Sequence, residues 1–161
     1  MKRIYPTNIA LPILVDDEDY EELNAHTWNI SKNGYVRRSV WKDGKNTGEA
    51  MHRRIMSAPK GMDVDHIDQN RLNNQKANLR LATRSQNMAN LRLKKKSTAH
   101  SKYKGVSLMQ NAKLKRPWIA YIKIDYKNIY IGYFDTEEDA AYAYDQFAIQ
   151  LFDDYSNLNV L

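Results

Sequence analysis

Hydrophobic and polar positions follow two rhythms along this chain. Tyr103–Met109, Pro117–Ile124 and Asn128–Phe134 alternate as half-buried strands do. Trp28–Trp41 has strand character around an Asn33-Gly34 turn dipeptide, which predicts a hairpin. Asp43-Gly44 offers a second turn. Ile9–Val15 predicts an extended piece, and Asp16–Asn24 a short helix with acidic residues at its start, where the helix dipole favours them. Met51–Met56 fits helix or strand. After Pro59-Lys60-Gly61 come a short strand over Asp63–Asp68, an Asn-rich loop over Gln69–Lys76, a strand over Asn78–Thr83 and a helix over Arg84–Lys94. Thr136–Phe152 predicts a long helix. Thr136 with Asp139 opens it in the manner of a capping box, and Ala140, Tyr144, Phe147, Ala148 and Leu151 form its apolar face.

The fold class expected is α+β. Residues 61–95 form a strand, loop, strand and helix, and residues 103–161 a three-stranded antiparallel sheet packed on one helix. In the second sheet, Trp118, Ala120, Ile122 and Ile124 with Ile129, Ile131 and Tyr133 are expected to face the helix. Ile119, Tyr121, Lys123, Asn128 and Tyr130 would then face outward. The expected division is residues 1–95, a basic linker over 96–102, and residues 103–161.

Charge sharpens this picture. Residues 1–68 carry a net −1 and residues 125–161 a net −7, whereas residues 69–124 contain 14 Lys/Arg and no Asp or Glu. A block of that length without a carboxylate cannot neutralise itself and attracts a polyanion, which points to nucleic acid. The absence of cysteine excludes disulfides and thiolate-held structural zinc. The apolar run Ile9–Val15 is too short to cross a bilayer and lacks a cleavage pattern, so neither a leader nor a membrane partner is expected.

Chemistry concentrates at Asp63-Val64-Asp65-His66-Ile67-Asp68. Phosphodiester hydrolysis needs a base for the attacking water, and charge compensation for the phosphoryl oxygens and the leaving oxygen. A neutral imidazole suits the first task, and a divalent ion on hard oxygen ligands suits the second. On a strand, neighbouring side chains point to opposite faces. Asp65 and His66 must therefore lie at a strand end or bulge to address one phosphate. Asn87, on the following helix, could add an oxygen ligand. Arg71, Arg80 and Arg84 could clamp phosphates. His26 and His100 read as ordinary surface or packing residues, and Asn70, Asn73 and Asn74 as loop-shaping ones.

The ordered set Val64-Asp65-His66-Ile67-Asp68, Asn70-Arg71-Leu72-Asn73-Asn74, Asn78-Leu79-Arg80, Ala82-Thr83 and Ser85-Gln86-Asn87, with Met51-His52-Arg53 upstream, resembles the HNH nucleases of phage and intron-encoded homing endonucleases. The resemblance implies a ββα-metal nuclease fold. It makes His66 the general base, Asp65 and Asn87 the metal ligands, and Asn78 the residue that fixes the loop. His52 is expected in structural support. Asparagine at the third signature position implies Mg²⁺ or Mn²⁺, one ion per site.

A second resemblance covers nearly all of 101–160. Ser101-Lys102-Tyr103-Lys104-Gly105-Val106, Trp118-Ile119-Ala120-Tyr121-Ile122, Ile131-Gly132-Tyr133-Phe134-Asp135-Thr136-Glu137-Glu138-Asp139-Ala140-Ala141 and Leu158-Asn159 are similar to the plant ethylene-response-factor (Apetala-type, AP2/ERF) DNA-binding domain. It implies a DNA face of Lys104, Ser107, Tyr121, Lys123, Asn128 and Tyr130. The longer first loop adds Gln110, Lys113, Lys115 and Arg116. The plant pattern has arginine at several of these positions, so its base preference does not transfer.

Together these features predict a metal-dependent DNA endonuclease of the HNH homing type, its site selected by the C-terminal domain on double-stranded DNA. Ends should be 5′-phosphate and 3′-hydroxyl. A monomer with one site would nick, and double-strand cutting would need dimerisation or two visits. The expected setting is the cytoplasm of a bacterial or phage-infected cell. The alternatives are a non-catalytic DNA-binding regulator with a vestigial HNH domain, and a protein acting on RNA through its tyrosine-rich face.

Overall fold

The computed structural model describes residues 1–91, 101–109 and 115–159. Most of the expected basic linker, together with Gln110 and Lys113, lies outside these residues. The chain divides into two compact units, Met1–Thr83 and Arg84–Leu161.

The first unit opens with β1 (Lys2–Ile4) paired antiparallel with β2 (Ile13–Val15). Ile4, Ile13 and Val15 are buried against Leu23 of α1 (Asp17–Asn24), together with Trp28, Val36 and Met51. The Trp28 indole N–H donates to the Leu23 carbonyl at 2.8 Å, so the largest core side chain is also hydrogen-bonded. Only the end of the expected Ile9–Val15 segment is a strand.

Three strands follow in the order β3 (Asn29–Ile30), β4 (Val36–Lys42), β5 (Lys45–Ala50). Asp43 and Gly44, both at positive φ (50° and 70°), form the two-residue turn between β4 and β5. Met51–Ile55 is helical, α2, with Met51 and His52 buried. β6 (Asp63–His66) then pairs antiparallel with β7 (Leu79–Ala82), in the register Asp65↔Arg80 and His66↔Leu79. A loop and a single 3-10 turn, Lys76–Asn78, connect them.

The second unit begins with α3 (Arg84–Asn90). This helix, expected to close the N-terminal domain, packs against C-terminal elements. Ala89 is buried in their core. Ser85 Oγ donates to Asp125 Oδ1 at 2.9 Å, and the Asn157 backbone N–H donates to the Ala89 carbonyl at 3.1 Å.

β8 (Val106–Leu108), β9 (Trp118–Ile124) and β10 (Lys127–Phe134) form an antiparallel sheet in the order β10-β9-β8. Asp125 and Tyr126, at φ 46° and 66°, make the tight turn between β9 and β10. α4 (Glu137–Phe152) packs across all three strands. Its cap is Thr136, whose Oγ1 accepts the Asp139 N–H at 3.1 Å and donates to the Asp139 carboxylate at 2.7 Å.

Two details of this unit depart from the alternation pattern. The buried face of α4 is Ala140, Ala141, Tyr144, Asp145, Ala148 and Phe152, while Phe147 and Leu151 are exposed. Asp145 turns inward because its carboxylate accepts the Asn159 backbone N–H at 3.0 Å and the Asn159 side-chain amide at 2.9 Å. On β10 the register shifts between Tyr130 and Gly132. Phe134 thereby pairs with Trp118 on the helix side, and Tyr133 pairs with Ile119 on the other. Tyr133, expected to face the helix, is exposed because the bulge resets the period of two.

Candidate active site

The ladder of β6 and β7 is short, and its end presents the chemistry. His66 is the last residue of β6, so the next residues can leave the strand direction. Asp65 and His66 are both buried, with 4% of each exposed.

Loop 67–78 is held by its own amides. Asn78 Nδ2 donates to Asp68 Oδ1 at 2.8 Å and to the Asn73 carbonyl at 2.9 Å, while its Oδ1 accepts the Asp68 N–H at 3.0 Å. Asp68 Oδ1 also accepts the Asn70 N–H, and Asn70 Oδ1 the Leu72 N–H. These short side-chain acceptors stand in for sheet hydrogen bonds where the chain turns. Asp68 is held below the usual carboxylate range. Partial burial opposes this, and the hydrogen bonds from Asn73, Asn70 and Asn78 outweigh it. Asn74, fully buried, donates its N–H to the Leu14 carbonyl at 2.8 Å and so ties the loop to β2.

His66 stands in an aromatic cluster. Its ring centroid is 5.2 Å from that of His52 on α2 and 6.2 Å from that of Tyr35. Tyr35 in turn lies 5.1 Å from His52 and carries the Arg71 guanidinium over its face at 4.4 Å. Burial depresses the pKa of both histidines. That of His52 falls to about 3, with the charge of His66 as the next cause. For His66 the Asn74 side chain and the nearby Asp68 and Asp65 charges act in the opposite sense. Both rings are therefore neutral at pH 7, the state a proton acceptor needs. Tyr35 is absent from the sequence reading. Its role is set by long-range packing, and nothing in its sequence neighbourhood marks it.

Asp65 faces its cross-strand partner. Arg80 Nε and Nη2 each lie 2.9 Å from Asp65 Oδ2. Arg71 Nη1 donates to the Asn33 carbonyl at 2.5 Å, so two of the three arginines expected to clamp phosphates, Arg71 and Arg80, have intramolecular partners. Asn87 and exposed Arg84 lie on α3, in the second unit.

Asp65 offers the hard carboxylate oxygens that a divalent ion takes, and Arg80 already pairs with one of them, Oδ2. Among the described residues no three His, Cys, Asp or Glu side chains form a metal cage.

On the C-terminal sheet, β9 and β10 present Tyr121 opposite Tyr130 and Lys123 opposite Asn128 on the face away from α4. Ser107 lies opposite Ile119. Lys104 does not belong to this open face. Its Nζ donates to the carbonyls of Ala89 and Leu91 at the end of α3. Lys115 and Arg116 are exposed, and Arg116 Nε lies 3.6 Å from Asp135 Oδ1. Among the described residues no helix is long and apolar enough to cross a membrane.

Comparison with known proteins bears on the same segment. A family model described as HNH endonuclease matches residues 57–89, from just after α2 into α3. An uncharacterized HNH endonuclease of Acanthamoeba polyphaga mimivirus is 34% identical over 145 residues, covering 85% of this chain and 68% of that protein. The solved structure of DNA binding and cleavage by the HNH homing endonuclease I-HmuI shares 35% identity over 40% of this chain and 40% of its own, with a TM-score of 0.36. From the matched segment and the extent of the viral similarity, the chain belongs to the HNH endonuclease family and is an endonuclease.

Proposed function

We propose that the protein hydrolyses phosphodiester bonds of double-stranded DNA as a metal-dependent HNH nuclease of the homing type, using Mg²⁺ or Mn²⁺. The observation that carries this reading is the Asp65–His66 pair, buried at the end of β6 above a loop clasped by Asn78, within the segment that the family model matches. His66 accepts the proton of the attacking water, and its neutral, buried ring is suited to that step. Asp65 would hold the ion. When bound, the ion supplies positive charge to the phosphoryl and leaving oxygens. Tyr35 and His52 fix the plane of the His66 ring by packing against it. Asn78 does no chemistry and keeps the loop in shape.

Site selection falls to the C-terminal unit, read as an AP2/ERF-type domain. Its outer sheet face carries Tyr121, Lys123, Asn128, Tyr130 and, through the bulge, Tyr133. Ser107, Lys115 and Arg116 extend this face. A sheet surface of this kind can enter the major groove, with lysines on phosphates and tyrosine and asparagine at base edges. The protein acts as a monomer in the cytoplasm of a bacterial or phage-infected cell and cuts one strand per encounter.

Incubation of the pure protein with supercoiled plasmid carrying DNA from the gene's own neighbourhood, with Mg²⁺ or Mn²⁺, tests the reading. The expected product is nicked circle with 5′-phosphate and 3′-hydroxyl ends, formed by wild type and lost in His66→Ala and Asp65→Ala. Cleavage that survives both substitutions, or that needs no divalent ion, would sink it. Preference for RNA over duplex DNA in competition would redirect the substrate.

A further inference from the structure

Asp65 and Arg80 are directly opposed across the β6–β7 ladder. Two N–H groups of one guanidinium, Nε and Nη2, converge on the single oxygen Oδ2, each at 2.9 Å. The Asp65 side chain is 5% exposed and that of Arg80 15%. The carboxylate of Glu49, which pairs with Arg38, is by contrast 31% exposed. A carboxylate buried so deeply cannot be left without a compensating charge, and here the chain supplies one itself.

We propose that Arg80 is the resident counter-cation of Asp65, that its guanidinium competes with the divalent ion for the same carboxylate, and that duplex DNA relieves the competition by offering Arg80 a phosphate. The inference rests on the reading of Asp65 as a metal ligand given above. A divalent ion brought to Oδ2 would meet a guanidinium already hydrogen-bonded to that oxygen. In a low-dielectric pocket two cations cannot share it without strong repulsion. The guanidinium fork suits phosphate as well as carboxylate, so duplex DNA offers Arg80 a competing anionic partner. Metal and DNA then bind cooperatively. Each must raise the affinity of the other by the same factor, because linkage is reciprocal.

Arg80 is thus a positioning residue that makes metal loading depend on substrate. The free protein loads its ion poorly, and the site becomes competent on the duplex.

The test is Mn²⁺ binding, followed by electron paramagnetic resonance on the full chain. Titrations are run with and without a short random-sequence duplex, in a His66→Ala background so that the duplex is not cut. Removing one opposing charge by Arg80→Gln is expected to tighten Mn²⁺ binding to the DNA-free protein about tenfold and to shrink the gain on adding duplex. Arg80→Lys keeps the charge and leaves the DNA-free affinity low. Circular dichroism establishes that each variant folds. Should Arg80→Gln not fold, Arg80→Met, which keeps the aliphatic stem, replaces it. The His66→Ala protein with Arg80 intact gives an independent reading, and no gain in Mn²⁺ affinity on adding duplex overturns the proposal. So does an Arg80→Gln protein that binds Mn²⁺ no better, or worse, without DNA. Asp65→Asn separates this failure from that of the underlying reading. If it binds Mn²⁺ as well as Asp65 does, Asp65 is not a ligand and both ideas fall.

Discussion

His52 and His66 meet nearly edge to face, their ring centroids 5.2 Å apart and their planes at 67°. One ring comes from α2 and the other from the end of β6, and both are buried. Protonating either places a cation in a pocket that already disfavours charge, and His52 also feels the charge of His66.

Acid should therefore loosen the N-terminal unit before it reaches the carboxylates. The folded-state pKa of His52, about 3, lies below its ordinary value of 6.5. Between these values the unfolded chain binds a proton that the folded chain refuses. The stability is present in full above pH 6.5 and is lost as pH falls towards 3. The slope is at most about 1.4 kcal/mol per pH unit for this one group. Thermal unfolding of the metal-free protein from pH 7 to 4 should show a falling midpoint. His52→Phe, which keeps an aromatic ring against Tyr35, should flatten the dependence. An equally steep fall in that variant would assign the acid sensitivity to other groups.

Asn78 is the second place where a small change should have a large effect. Its amide makes three hydrogen bonds to the loop, at 2.8, 2.9 and 3.0 Å, from a position only 8% exposed. Asn78→Ala leaves Asp68 and the Asn73 carbonyl without those donors and should cost about 2–4 kcal/mol. Asn78→Asp should be no better, because it replaces a donor with a charge beside Asp68. Urea denaturation measures the first effect, and plasmid nicking should fall with it. A fully stable, fully active Asn78→Ala would mean that the loop keeps its shape without the clasp.

Local signals made much of this architecture readable from sequence. Asp43-Gly44 has the residue types that a turn with two positive φ angles demands, and Thr136 with Asp139 marks the start of α4. The strand–loop–strand–helix succession around Asp65 and His66 was legible for the same reason. What stayed hidden depends on partners distant in sequence. β1 and β2 are three residues each, too short for any periodicity, and exist because Ile4, Ile13 and Val15 bury one another's neighbours. The bulge in β10 moved Tyr133 to the open face, and a strict period of two cannot foresee that. The sequence also failed to show that Arg80 spends its charge on Asp65 and Lys104 on the end of α3. Both were expected to contact DNA, and a basic side chain carries no local mark of its partner.

Gly105 is fixed by space as well as by backbone. Its φ is +73°, and an added Cβ would lie 2.0 Å from Cδ2 of the buried Tyr144 ring and 2.7 Å from the Tyr121 carbonyl oxygen. The Gly105 carbonyl also accepts the Tyr121 N–H at 2.9 Å, so the backbone cannot back away without breaking that bond. Gly105→Ala should destabilise the C-terminal unit by about 2–3 kcal/mol or more. It should also weaken duplex binding, read by fluorescence anisotropy. Wild-type stability in this variant would contradict the close approach.

Lys104 offers a pH dependence of the opposite reach. Its Nζ donates to the Ala89 carbonyl and, at 2.9 Å, to the Leu91 carbonyl, where α3 ends. Burial is the chief reason its pKa drops from 10.5 to about 8, and the charge of Asp145 opposes the drop only in part. Below pH 8 folded and unfolded chains are both protonated, and the group gives no slope. Between about 8 and 10.5 the unfolded chain still holds a proton that the folded chain has released, so stability rises with pH, by at most about 1.4 kcal/mol per unit. The neutral amine keeps two N–H groups, enough for both carbonyls, so deprotonation relieves the buried charge without breaking the helix end. Urea denaturation from pH 7.5 to 10 should show the midpoint of the C-terminal unit rising in wild type. Lys104→Met should remove the rise. At pH 7.5 the same variant trades the lost donors, worth about 1–3 kcal/mol, against relief from a buried charge. Its net change at that pH should therefore be smaller than the donor loss alone. A rise of equal size in Lys104→Met would place the titration elsewhere.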